Sequence, residues 1–71
     1  MRLKKSDIHT HELGAKIGLT PFESHNFICE KEEFVDGSGW RAHFVINTPE
    51  EIKKRVFRQG QAESWVDIPN E

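Results

Sequence analysis

The sequence predicts an α+β fold: two short N-terminal helices joined by a tight turn, then a small antiparallel sheet with one C-terminal helix. Three observations predict it. Thr-Pro-x-Glu helix starts occur at Thr20 and near Thr48, a glycine stop falls at Gly18, and period-two alternation marks Trp40–Asn47 and Ser64–Ile68.

The first helix takes its cap from Ser6 or Thr10, carries Leu13 and Ile17 inward, and ends at Gly18. Thr20, Pro21 and Glu23 then supply an N-cap, a proline in the first turn and a capping-box partner. Beyond them, helix is preferred to strand. On a helix Phe22, His25, Ile28 and Cys29 share one arc, whereas Glu30, Lys31, Glu32 and Glu33 are poor strand formers. Asp36, Gly37, Ser38 and Gly39 form a turn. In the strand after it, Trp40, Ala42, Phe44 and Ile46 face the core, and Arg41, His43, Val45 and Asn47 face away. The third helix is read from Pro49 to Gln59, with Thr48 as N-cap and Glu51 closing a capping box. Glu50–Lys54 and Glu51–Arg55 are spaced i,i+4, and Gly60 is the stop. A last strand places Val66 and Ile68 opposite Glu63, Trp65 and Asp67, and Pro69 ends it. In the alternative reading, Asn26–Val35 is a strand hairpinned to Trp40–Asn47, which gives a ββαβ core.

With 71 residues the chain has room for a single domain, 1–71, with residues 1–5 and 69–71 as loose ends. Two Trp and five Phe, with a formal charge of -2, argue for a packed core and against disorder. Cys29 is the sole cysteine, so no internal disulfide forms, and a reducing, cytoplasmic setting is expected. No signal-peptide pattern or apolar run of membrane-spanning length is visible, so no membrane partner is expected.

Residues Glu12 to Phe27 read ELGAKIGLTPFESHNF. Gly14 and Gly18 occupy the small-residue positions of a helix-turn-helix, Ile17 and Leu19 its flanking apolar positions. Phe34, Val35, Asp36, Gly37, Gly39 and Trp40 continue it as a β-wing. Residues 12–47 thus resemble winged helix-turn-helix modules of phage antirepressor and excisionase type. Ser24 departs from the pattern, standing where the motif carries a buried aliphatic residue. The resemblance implies DNA binding, with the second helix in the major groove.

Charge points elsewhere. From Pro21 to Asp36 the sequence sets Glu23, Glu30, Glu32, Glu33 and Asp36 against Lys31 alone, and phosphates repel such a surface. The leading expectation is therefore a phage- or plasmid-type regulatory protein. It would bind and modulate a host protein such as RNA polymerase or a nuclease, through Glu23, Glu30, Glu33, Trp65 and Asp67. Trp65 is read either as an exposed anchor or as a lid over the last helix. The alternative is a DNA-binding transcription or recombination regulator using Lys4, Lys5, Lys16, Lys53, Lys54, Arg55 and Arg58.

Enzymatic activity is not expected. The run Asp7-Ile8-His9-Thr10-His11 resembles the metal-binding start of amidohydrolase and polymerase-histidinol-phosphatase barrels, but a barrel needs about 250 residues. Cys29 with His25 or His43 has no accompanying oxyanion loop. His9, His11, His25 and Cys29 are capable ligands without a standard finger spacing, so no metal and no cofactor are expected.

Overall fold

The computed structural model describes residues 2–57 and 64–70. Strand β1 (Leu3–Lys5) leads into helices α1 (Thr10–Ala15) and α2 (Pro21–Phe27). Strands β2 (Ile28–Phe34) and β3 (Gly39–Phe44), helix α3 (Glu50–Val56) and strand β4 (Trp65–Pro69) follow. The four strands form one sheet in the order β1-β2-β3-β4, each neighbour antiparallel.

This corrects the expected architecture. A helix-turn-helix followed by a separate sheet is not what forms; the helices are inserted between strands of a single sheet. The alternative hairpin lies closer, since β2 and β3 pair from Ile28 to Phe44. Leu3–Lys5, read as a loose end, pairs with Phe34–Glu32. The largest difference is the stretch from Ile28 to Phe34, a strand where helix was preferred. Three of its four charged side chains find tertiary partners, and Glu30 is exposed. Glu33 meets Lys4, Glu32 meets His43, and Lys31 Nζ donates to the Ile8 carbonyl at 2.8 Å. Cross-strand pairing thus overrides the weak strand propensity of Glu and Lys.

α1 and α2 meet through the smallest side chains available. Ser24 is fully buried, and its Oγ donates to the Thr20 carbonyl at 2.9 Å. A Cβ placed on Gly14 would lie 2.6 Å from the Ser24 Cβ, so the glycine is what allows the helices to approach. Ser24 therefore replaces the expected aliphatic residue by shrinking the contact rather than filling it. Between the helices, Gly18 adopts φ +84, with Leu19 N–H bonded to the Gly14 carbonyl and Gly18 N–H to that of Ala15. This is a Schellman stop, and it aims Leu19 into the core. The capping box at Thr20 forms as read: Thr20 Oγ1 accepts from Glu23 N–H, and Glu23 Oε1 from Thr20 N–H.

α3 is shorter than expected. Its N-cap is Pro49, and the Thr48 hydroxyl donates backward to the Val45 carbonyl instead of capping. Phe57 is already extended, at φ -97 and ψ 131. Gln59, Gly60 and Glu63, read as helix end, stop and strand start, lie outside the described residues.

Among the described residues the main core cluster lies on one face of the sheet, and Phe34 is buried apart from it on the other. Leu13, Leu19, Ile52 and Val56 pack over Ile28, Ala42, Phe44, Val66 and Ile68. Ile46, expected to extend this inward row, is 98% exposed because β3 ends at Phe44. The alternation of β3 and β4 turns the intervening side chains to the opposite face, which no described helix covers.

Candidate binding surface on the open face of the sheet

Register builds the open face in rows. Lys5 lies opposite Glu32, Glu32 opposite Arg41, and Arg41 opposite Asp67, so one row crosses all four strands with alternating charge. The next row sets Glu30 opposite His43 and His43 opposite Trp65. Leu3 and Phe34 face one another at the far end.

Arg41 is the centre of this surface. Its Nε donates to Asp67 Oδ1 at 2.6 Å and its Nη2 to Asp67 Oδ2 at 3.0 Å, a two-pronged ion pair. The guanidinium carbon sits 3.9 Å from the Trp65 ring centre and 5.6 Å from that of Phe34. The Asp67 carboxylate raises the Arg41 pKa above its already high ordinary value, so the cation is permanent. Beside it, His43 Nε2 lies 2.5 Å from Glu32 Oε1. A depression of about 380 Å³ opens next to the pair, lined by Phe34, Ser38, Arg41, Asp67, Ile68 and Pro69. Phe34 is itself buried, so the accessible part of this patch is the half-buried Trp65 with the rigidly held Arg41, residue types that dominate protein–protein contacts.

The residues expected to bind protein separate in space. Trp65, Asp67 and Glu30 share the open face by register. Glu33 falls on the other face with Trp40 and Ile68, and pairs with Lys4 at 3.7 Å. Glu23 serves the α2 cap and accepts from Arg55 Nη1 at 2.9 Å. The acidic second helix therefore does not exist as such; of the five acids between Pro21 and Asp36, only Glu23 lies on α2. Trp65 is no lid over α3, because it stands on the face away from the core.

The basic residues read as a nucleic-acid set are scattered too. Lys4 and Lys5 point to opposite faces of β1, and Lys16 Nζ sits 4.8 Å from the Trp40 ring centre. Lys53 lies 3.8 Å from Glu50, and Lys54 is exposed on α3. Arg55 ties α3 to the α1–α2 turn, donating to Glu23 and to the Gly18 carbonyl. Arg58 lies outside the described residues.

His9, His11 and His25 gather on the helices, with ring centroids 5.5 Å and 6.4 Å apart in succession. Cys29 is not beside His25 on a helix. It occupies the irregularity in β2 between Ile28 and Glu30, and its Sγ donates to the His43 carbonyl, not to the ring. Among the described residues, no group of three His, Cys, Asp or Glu is placed to hold a metal ion. No described helix is long and apolar enough to cross a membrane.

The chain matches no family model, no curated protein and no solved structure.

Arg41, His43, Glu32 and Phe34 are the site residues that sequence reasoning passed over. The first two were visible as the outward half of the Trp40 strand. Glu32 and Phe34 join them only when the Ile28–Phe34 stretch is allowed to be a strand.

Proposed function

We propose that this chain is a non-enzymatic regulatory module that docks on a protein partner through the open face of its sheet, with Trp65 and Arg41 as anchors. The observation that carries the reading is the Arg41 guanidinium, stacked on Trp65 and fixed by two bonds to Asp67 on a face that no described helix covers. Fixing a long cation before binding reduces the side-chain entropy lost on docking. A partner would meet a central aromatic–guanidinium patch ringed by Lys5, Glu30, Glu32 and His43, which suits a mixed polar rim. Capture from a lysate of the source cells tests it: a protein retained by the parent chain should be lost with Trp65→Ala while the domain stays folded. Equal capture by both chains removes Trp65 as an anchor.

One observation favours a second reading, DNA binding through α1 and α2. Glu23, the only acid on α2, is neutralised by Arg55, so the charge objection to α2 is weaker than the sequence suggested. Against it, the outward residues of α2 are Phe22, His25 and Asn26, none of them a permanent cation. A gel shift with random duplex at low salt separates the readings; salt-sensitive binding lost on neutralising Lys16, Lys54 and Arg55 supports DNA.

A further inference from the structure

The outer side of β4 has features of a peptide site that the open-face reading does not use. Among the described residues β4 is an edge strand, bonded only to β3. The Ser64 carbonyl accepts from Phe44 N–H at 2.8 Å, and Asn70 N–H donates to the Ser38 carbonyl at 2.9 Å. Even-numbered residues therefore bond to β3. The antiparallel alternation then turns the backbone N–H and C=O of Trp65 and Asp67 outward, together with the C=O of Pro69. Among the described residues nothing hydrogen-bonds these groups.

A groove of about 480 Å³ runs alongside this edge from Val66 to Pro69. Its other wall is the end of α1 and the last turn of α3, and it brings Lys16, Ile17, Lys54, Arg55 and Phe57 to the strand. Lys16 and Lys54 are exposed, while Arg55 is engaged by Glu23. Among the described residues of the lining the one carboxylate is Asp67, which Arg41 already neutralises. Among the described residues the groove therefore combines an open row of backbone donors and acceptors, a cationic rim and apolar side chains at Ile17 and Phe57.

We propose that this edge takes an extended, acidic peptide segment as a fifth strand. Its backbone would bond to Trp65 and Asp67, and its alternate carboxylates would meet Lys16 and Lys54. The side chains of the open face are not required, so this site and the docking face stand or fall separately.

The probe is a fluorescein-labelled hexapeptide alternating glutamate and valine, titrated into the full chain by anisotropy at low salt. Three controls accompany it: the same peptide N-methylated at alternate amides, the double variant Lys16→Glu/Lys54→Glu, and a single-stranded oligonucleotide of similar charge. The expected result is saturable peptide binding, weakened at least tenfold by N-methylation and by the double variant, with the variant's circular dichroism unchanged. Equal binding of the N-methylated peptide overturns strand addition. Binding of the oligonucleotide in place of the peptide, or no peptide binding at low salt, overturns the site.

Discussion

Arg41 lies with its guanidinium carbon 3.9 Å from the ring centre of Trp65, on adjacent strands and on the side of the sheet away from the helices. Asp67 holds it there through two hydrogen bonds. Exposed ion pairs contribute little to stability, and cation–π contact at such a site adds about 0.5–1 kcal/mol. Removing the arginine should therefore be mild for the fold and severe for the surface. Arg41→Ala is expected to lower stability by on the order of 1 kcal/mol in urea unfolding and to shift the tryptophan emission. An Arg41→Ala/Asp67→Ala cycle should return a coupling of about 0.5–1 kcal/mol. Additive single effects would mean that the pair is not formed in solution.

The α1–α2 junction predicts a compensating pair. Gly14→Ala forces a Cβ into the space of the Ser24 side chain and should destabilise the domain by about 1–3 kcal/mol. Ser24→Gly in that background removes the atoms it strikes and should recover part of the loss. Recovery in the double variant, read as the unfolding midpoint, checks the contact directly. If Gly14→Ala alone is neutral, the two helices are not in contact at these residues.

Acid sensitivity follows from Glu23. The Thr20 N–H and then Arg55 hold its carboxyl below the ordinary value of 4.5. A carboxyl depressed in the folded state stabilises the fold above its unfolded pKa and loses that contribution as pH falls through the folded pKa. Stability should therefore decline as pH drops below about 4.5. Glu23→Gln should flatten that part of the profile and lower stability at neutral pH, where the parent carboxylate is charged. An unchanged acid limb in the variant would assign the decline to other carboxylates.

What the sequence revealed and what it hid divide along physical lines. The capping box at Thr20 and the glycine stop at Gly18 are local devices, complete within four or five residues, and both form as read. The inward row Trp40, Ala42, Phe44 follows from alternation alone. The strand Ile28–Phe34 was hidden because its charges are poor strand formers in isolation. Only partners distant in sequence, Lys4, Ile8 and His43, make them tolerable. The site had the same fate. Trp65 and Asp67 were singled out, whereas Arg41, which fixes them into one surface, was seen only as an outward residue of another strand. Thr48 illustrates the converse: a strong capping pattern was present, but its hydroxyl is spent on the Val45 carbonyl.

Which face meets the partner is the central question, and amide chemical-shift mapping answers it most directly. The isotope-labelled chain is titrated with the protein captured from lysate, and the perturbed amides are assigned. Docking through the open sheet face predicts shifts concentrated at Glu32, Arg41, His43 and Trp65, and their loss with Trp65→Ala. Shifts confined to Phe22, His25 and Asn26 on α2, unaffected by Trp65→Ala, would contradict it.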